Sequence, residues 1–411
     1  MSTKTSRARV VQSQMKDGTM VPPSAGRLRI AIVSDAIVGR NGVGTFYLDL
    51  IEHLMPFVDS IDLIAPQQER CREMERFSIP MPGDSTQRLA LPHGRHVTER
   101  LDRMAPNLII VPTLGAFSYL GLRYAKRNGI PLVIVNHTSF GQLFRLYWSK
   151  LVAGPMTWAL NRLNRWLMRQ ADAVVALNAE AYQEASQWDA KLVRVMGTPV
   201  AADFLRRPSV RRPGLAQHDG ETGIRRTVFV GRLAAEKRVG DLIEAAERFT
   251  NCQFAIAGDG PMRDQVESAA QRLPNLQYLG WLSRDQVLGA LDESDALVLP
   301  SMIESFGTVA LEAMARRRYV IVRRDCGIAK WPSISAGLFY IEDDQSFADR
   351  FESLRNMDDE SLNQIAGKSW NAVTDFNQHT VRVWLQFLID AARLDEHRVI
   401  GQRRVPADQS V

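Results

Sequence analysis

Cysteine is scarce in this 411-residue chain: Cys71, Cys252 and Cys326 are the full complement, far apart and odd in number. That excludes a disulfide framework and a cysteine-based zinc site, and it fits a reducing, cytoplasmic compartment. Long apolar runs are lacking as well. No stretch approaches the roughly 20 consecutive apolar residues of a membrane-spanning helix, so membrane contact is expected to be peripheral at most. Residues 1–26 carry Lys4, Arg7, Arg9 and Lys16 among Ser, Thr, Gln and Gly. They lack the apolar segment of a signal peptide and are read as a disordered basic tail. Acid is in deficit too. The net charge of +5 favours anionic partners, whether phosphorylated ligands, lipid head groups or nucleic acid, without choosing among them.

What is present describes a folded chain of two units. Hydrophobic residues make up 45% and charged residues 24% of the sequence, which excludes wholesale disorder, and the length exceeds what one core usually serves. Short β-branched runs at 28–34, 60–65, 107–111, 131–136 and 172–177 alternate with longer amphipathic segments. The pattern restarts at 227–230 and continues at 252–257, 276–279, 296–299 and 319–322. Such alternation predicts two α/β domains with parallel sheets. Between them, 205–226 holds Arg206, Arg207, Arg211, Arg212, Arg225 and Arg226 with Pro208, Pro213, Gly214, Gly220 and Gly223, a linker composition. The expected organisation is therefore a tail at 1–26, a first domain at 27–204, the linker, and a second domain at 227–368. A packed amphipathic helix at 369–394, crossing back to the first domain, and a polar tail at 395–411 complete it.

Chemistry concentrates after two strands of the second domain. Gly231-Arg232-Leu233-Ala234-Ala235-Glu236-Lys237 follows the strand at 227–230 and leads into a helix expected near Val239. Two cations beyond a strand's carboxyl end suit a diphosphate, since open α/β sheets bind ligands there; solvated loop cations are the other reading of this segment alone. The strand at 296–299 is followed by Pro300-Ser301-Met302-Ile303-Glu304-Ser305-Phe306-Gly307-Thr308 and, about two helical turns on, by Glu312. Ser305, Gly307 and Thr308 are expected in the helix's first turn, where backbone N–H groups lack intrahelical partners. A loop carboxylate can accept from sugar hydroxyls and a helical one from a ribose diol. Each acid alone also fits a cap or a solvated position.

The ordered set Gly231-Arg232 to Lys237, Ala257-Gly258-Asp259-Gly260-Pro261, Leu279-Gly280-Trp281-Leu282 and Glu304-Ser305-Phe306-Gly307 to Glu312-Ala313-Met314-Ala315 resembles the retaining GT-B glycosyltransferases of family 4. The resemblance covers 227–315. It implies two Rossmann-like, doubly wound domains facing across a cleft, with donor on the second and acceptor on the first. It implies that Arg232 and Lys237 neutralise the leaving diphosphate without metal. Glu304 would hold the donor sugar and Glu312 the ribose, with Ser305, Phe306, Gly307 and Thr308 offering backbone amides. Gly258 and Gly260 would form a close-approach loop, and Trp281 and Leu282 would contact the base, although Trp281 also reads as a core residue. No cofactor is implied beyond the nucleotide-sugar co-substrate, a UDP- or GDP-sugar.

In the first domain, Arg40-Asn41-Gly42-Val43-Gly44-Thr45 looks like the family's glycine-rich acceptor-side loop. His137, at the end of the strand 131–136, matches a histidine placed near the donor sugar. Residues 140–170 mix Phe140, Phe144, Tyr147, Trp148, Trp158 and Trp166 with Arg145, Lys150, Arg162, Arg165 and Arg169. This suits either a core stripe or a helix among anionic head groups, and it is similar to the glycolipid-forming and mannosyltransferase branch. The acceptor is expected to be a lipid or glycan at the inner face of the plasma membrane, with a soluble metabolite or a non-catalytic nucleotide-sugar-binding role as alternatives. Nucleic acid is not expected as a partner, because no stacking platform exists outside this segment. The chain departs from the family pattern at Arg316-Arg317-Arg318 and at Cys326, where turns could differ. Asp343-Asp344 lack supporting ligands, so no metal site is assigned.

Overall fold

The computed structural model describes residues 23–39, 42–67, 73–81, 84–112, 115–137, 150–188, 190–206 and 223–392. The tail at 1–22, most of the linker, the segment 138–149 and the polar tail from 393 lie outside these.

The two runs of alternating elements form two six-stranded sheets, and every strand pair within them is parallel. The first contains β1 (Arg29–Val33), β2 (Ser60–Ile64), β5 (Leu108–Val111), β6 (Leu132–Asn136), β7 (Ala173–Ala176) and β8 (Val193–Val195) in the order β2-β1-β5-β6-β7-β8. The second contains β9 (Arg226–Val230), β10 (Gln253–Ala257), β11 (Leu276–Gly280), β12 (Ala296–Leu299), β13 (Tyr319–Arg323) and β14 (Phe339–Ile341) in the order β11-β10-β9-β12-β13-β14. Both are doubly wound, Rossmann-like domains. The central strands β1, β5, β6, β7 and β12 are almost wholly buried because helices cover both faces, and their sequences are accordingly apolar apart from Arg29 and Asn136 at strand ends.

Each order reverses direction once, between β1 and β5 and between β9 and β12. A crevice forms at such a switch point because consecutive connections leave to opposite faces. In the second domain the strands themselves contribute. β9 pairs with β12 only at Thr227 with Ala296 and Val228 with Leu297, whereas it pairs with β10 over five positions.

A two-stranded antiparallel hairpin, β3 (Glu75–Met81) with β4 (Asp84–Pro92), lies outside both sheets and was not among the expected strands. Pro80 and Pro92 remove ladder donors there, which disguises the alternation in the sequence. Its outward face shows Phe77 opposite Leu91 and Ile79 opposite Leu89, all exposed.

The expected helix at 369–394 begins ten residues earlier, at Asp359, and runs to Ala391. Asp358 caps it by accepting from the Ser361 N–H. At about 1.5 Å per residue it is about 50 Å long, enough to serve two domains. Leu362, Ala366, Val373 and Phe376 belong to the second domain's core, while Val381, Trp384, Leu385, Leu388 and Ile389 belong to one face of the first sheet. Trp384 is completely buried and its indole N–H donates to the Gly197 carbonyl at 3.0 Å. Among the described residues no helix is long and apolar enough to cross a membrane.

Candidate functional site

Two loops enter the crevice of the second domain. After β9, Gly231 and Leu233 donate backbone hydrogen bonds to Ala257 and Asp259 of the neighbouring loop, and a 3-10 turn at Ala235–Lys237 precedes the helix Gly240–Arg248. After β12, the Met302 N–H donates to the Glu236 carbonyl at 2.7 Å. This stitch sets the side chain of Lys237 against Glu304. Its Nζ lies 2.6 Å from Glu304 Oε2 and 3.2 Å from the Ile303 carbonyl. Both side chains keep a little under a fifth of their surface in contact with solvent, so the pair forms part of the crevice wall and is still reachable. Arg232, about one third exposed, points along the same loop with its guanidinium 3.8 Å from the buried Glu236 carboxylate.

Two glycines make this approach of backbones feasible. Gly258 has φ +141°, and a Cβ there would sit 1.8 Å from the Gly231 carbonyl oxygen; at Gly260 the corresponding clash is with the Leu233 carbonyl oxygen at 2.4 Å. Their close approach is thus to the loop carrying Arg232. Gly327 plays the equivalent part for the Glu304 loop: its N–H donates to the Glu304 carbonyl, and a Cβ would fall 2.0 Å from the Ser305 carbonyl oxygen. The departure at Cys326-Gly327 therefore keeps the one glycine that contact requires. Cys326 is buried, and burial pushes its thiol far above the ordinary range.

Helix geometry corrects the placing of Ser305. The helix spans Thr308–Ala315 with Gly307 as its left-handed cap, so Ser305 lies outside the first turn. Its carbonyl accepts from Asn178 Nδ2 of the first domain at 3.2 Å. The Phe306 side chain is core, packed against Trp331 and Phe376 at centroid distances of 5.9 and 6.2 Å, which leaves only its backbone for a ligand. Leu282 packs on the second domain's core, whereas Trp281 is exposed at the end of β11, which removes the core reading for it.

Glu312 is buried on the same helix. Its Oε1 lies 2.5 Å from Arg284 Nη1, and Arg284 Nη2 lies 2.9 Å from both oxygens of Asp49 in the first domain. Arg284 and Asp49 were not among the expected site residues. A readable signal existed for Asp49: it falls within the buried stripe Phe46, Tyr47, Leu50 and Leu54 of the helix Gly42–Leu54, where a carboxylate needs a reason. Burial raises both the Glu312 and the Asp49 carboxyls, in each case against the opposing pull of Arg284.

On the first domain's side, Gly42, Val43 and Gly44 begin the helix Gly42–Leu54, with Gly44 buried against the Ile37 carbonyl; Arg40 and Asn41 lie outside the described residues. His137 follows β6 directly and is only 7% exposed. Its Nε2 lies 3.1 Å from the Tyr47 hydroxyl, and Phe46 meets the ring edge-on at 4.9 Å. Burial pulls the imidazole down to about 3, so it is uncharged at neutral pH. The structure thus joins His137 to the helix that Gly42, Val43 and Gly44 begin, where a loop was expected.

The first domain's switch point holds a residue that sequence reasoning passed over. Asp35, just after β1, accepts from the Phe117 and Ser118 N–H groups at 2.8 and 2.9 Å and from Ser118 Oγ at 2.7 Å. It caps the helix Ala116–Asn128 from outside the helix, in space left by Gly115, where a Cβ would clash with its carboxylate. Burial raises its pKa and these donors oppose that.

The triple arginine is structural. Arg316 grips Asp292 with Nε at 2.7 Å and Nη2 at 2.5 Å and donates to the Arg206 carbonyl; Arg318, almost fully buried, donates to the Ser294 carbonyl. Arg317 takes the positive φ, 56°, that the turn demands. Asp343 reaches Arg323 at 3.2 Å, and among the described residues no cluster of three potential metal ligands occurs. In the helix Lys150–Gln170, Leu167 and Met168 are buried, while Trp158, Leu163 and Trp166 are exposed and Arg162 lies 5.9 Å from the Trp158 ring. Part of the aromatic stripe therefore faces outward, and residues 140–149 lie outside the described residues.

Comparison with known proteins agrees with this layout. The family described as Glycosyltransferase Family 4 matches residues 40–204, and that described as Glycosyl transferases group 1 matches residues 217–369. The alpha-D-kanosaminyltransferase of Streptomyces kanamyceticus is 30% identical over 53% of this chain and 58% of its own. A GDP-mannose-dependent alpha-mannosyltransferase of Mycolicibacterium smegmatis is 28% identical over 70% of this chain and 77% of its own. For several of the relatives it matches, the chain spans about half of their length, 40–58%. Among solved structures, the sucrose-phosphate synthase of Thermosynechococcus elongatus superposes with a TM-score of 0.65 at 16% identity, covering 88% of this chain and 98% of that one.

Proposed function

From the premise that this chain belongs to the group 1 glycosyltransferases of GT-B fold, we propose that it transfers a sugar from a UDP- or GDP-sugar to an acceptor with retention of anomeric configuration. The observation that carries this reading is the Lys237–Glu304 pair at the open switch point, beside Arg232. A diphosphate entering there meets two cations already held by the fold. Its growing negative charge on departure is then stabilised without reorganisation, which is the largest single contribution in many such reactions. Because protein cations do this work, the reaction is proposed to run without metal and without any cofactor.

In the proposed step the bond from the anomeric carbon to the diphosphate oxygen breaks and a bond to the acceptor oxygen forms on the same face. The acceptor proton passes to the departing phosphate oxygen, so no protein nucleophile is needed. Glu304 accepts from sugar hydroxyls and Glu312 from the ribose diol. Thr308 and Gly307 offer backbone amides, and Trp281 and Leu282 stand at the base. His137 acts as a neutral hydrogen-bonding group beside the helix that Gly42–Gly44 begin, because a charged imidazole is excluded by its burial.

The acceptor is proposed to be a lipid or glycan at the cytoplasmic membrane face. What supports this is the outward Trp158 and Trp166 with Arg162 beside them, since indole and guanidinium groups together suit an anionic interface. Labelled UDP- and GDP-sugars incubated with the chain and membrane extract test the whole reading. Label in the organic phase identifies a lipid acceptor, and label in water-soluble product a glycan or metabolite. Donor binding with neither transfer nor hydrolysis would replace the enzyme with a binding protein. Loss of vesicle co-sedimentation on replacing Trp158 and Trp166 by Ser is expected; unchanged binding would remove the membrane surface.

A further inference from the structure

Arg284 begins the helix Arg284–Asp292, which Ser283 and Gln286 close with a reciprocal capping box, so its backbone is fixed before its side chain is considered. From there one guanidinium reaches three separate parts of the fold. It meets Glu312 of the second domain, both oxygens of Asp49 of the first, and the ring of Phe204, 4.8 Å away in the short helix Ala202–Leu205 that leads to the linker. The two acid side chains are each 4% exposed, the arginine 34%. Two buried carboxylates thus share one cation across the domain boundary.

Arg284 engages only Oε1 of Glu312. Two contacts with Asp49 and one with Glu312 hold the guanidinium in place between the domains, because its donors are rigidly spaced. With Oε1 held on one edge of the guanidinium and Asp49 anchoring the other, the placing of the Glu312 carboxylate depends on a residue of the other domain.

We propose that Arg284 is a positioning residue that aims Glu312 at the nucleotide ribose and ties that site to Asp49, so that recognition of the ribose depends on the first domain. This rests on the reading of Glu312 as the ribose carboxylate. Any free energy that the tie adds to ribose binding must appear equally as an effect of ribose on the tie.

The test measures affinities of the full chain for UDP and GDP and for their 2′,3′-dideoxy forms, which lack the diol. Wild type should prefer the ordinary diphosphate by about tenfold, within the usual range of such couplings. Arg284→Ala should cut that preference to about twofold by weakening the ordinary nucleotide and leaving the dideoxy form unaffected. Asp49→Asn keeps shape and removes charge, and should also reduce the preference although Asp49 is in the other domain. Arg284→Lys, a point charge that cannot serve both acids, should recover part of it. General damage to the fold would weaken both ligands alike. No preference in wild type would overturn the ribose reading of Glu312, and this proposal with it. A wild-type preference kept in full by Arg284→Ala or by Asp49→Asn would overturn the positioning or the domain tie while leaving the ribose reading intact.

Discussion

Replacing Lys237 by Met removes a charge while keeping most of the aliphatic stem, and the structure separates its two consequences. The first is on stability. Lys237 Nζ sits 2.6 Å from Glu304 Oε2, with both side chains slightly open to water, so the pair lies between a surface bridge, worth about 0–1 kcal/mol, and a buried one, about 3–5 kcal/mol when broken. A loss of about 1–2 kcal/mol follows, or a fall in melting temperature of a few degrees at about 2–4 °C per kcal/mol for a domain of this size. The second is on catalysis. A fixed donor to a departing oxyanion is worth about 2.7–4 kcal/mol, a factor of about 10²–10³ in kcat. At 25 °C the variant remains folded, so the rate at saturating donor isolates the second effect. Lys237→Arg should restore the melting temperature more completely than the rate, because the charge returns with altered reach. A kcat for Lys237→Met within about threefold of wild type would refute the assignment of Lys237 to the leaving group, a threefold change being only about 0.65 kcal/mol.

Other consequences can be checked independently. His137 is held at a pKa of about 3 by burial, below its ordinary 6.5, so the unfolded chain takes up the proton first as pH falls. Stability from this residue is full above about 6.5 and is lost toward 3, by about 2 kcal/mol at pH 5. Thermal melts of His137→Asn should accordingly show a weaker dependence between pH 7 and 5, and an unchanged dependence would exclude burial of a neutral ring. Gly327→Ala must drive a methyl group into the Ser305 carbonyl, 2.0 Å away; overpacking of about 1–3 kcal/mol and weakened nucleotide binding are expected, and calorimetry with titration would show neither if the loop yields freely. Trp384→Ala empties a fully buried site and orphans the Gly197 carbonyl. It should cost about 3–5 kcal/mol and lower melting on the order of 10 °C; a change of a degree or two would mean that the long helix does not anchor the first domain.

Legibility followed range along the chain. Ten of the parallel strands were readable because each is a short apolar run between turn residues, with ends about one residue from expectation, whereas β8, only Val193-Arg194-Val195, was not expected. The hairpin at 75–92 was hidden by Pro80 and Pro92, whose effect on a ladder depends on which edge they face, a tertiary property. The helix Asp359–Ala391 was read too short because Gly367-Lys368-Ser369 interrupts its apolar period. Ser369 is in fact buried, its hydroxyl donating to the Ile334 carbonyl at 2.6 Å, a partner that no local pattern announces. The cations and acids of the crevice were legible as an ordered set after strands. Their pairing was not, since Lys237 and Glu304 are joined through the stitch from Met302 to Glu236. Arg284 resembled any charged residue in a helix's first turn.

The two halves of the molecule are both doubly wound, with different strand orders, and they differ in what occupies the helix terminus at the switch point. That terminus attracts anions in any doubly wound sheet, because its N–H groups are unpaired and its dipole is positive. In the first domain the chain fills it with its own carboxylate: Asp35 takes the Phe117 and Ser118 N–H groups, and Gly115 leaves the room. In the second domain no comparable plug is present among the described residues of the Glu304 loop; Gly307 caps the helix without a side chain, and two cations stand beside it. The proposed phosphate site accordingly lies where the helix terminus is free of a carboxylate, and the first domain's terminus is already filled. Converting the plug to a neutral one tests this asymmetry. Asp35→Asn should leave the first domain folded, since an amide oxygen still accepts from one N–H, while exposing an anion site; a second, weaker equivalent of UDP or GDP bound per chain in calorimetry is the expected result. A single equivalent, as in wild type, would mean that shape rather than charge closes the first domain's switch point.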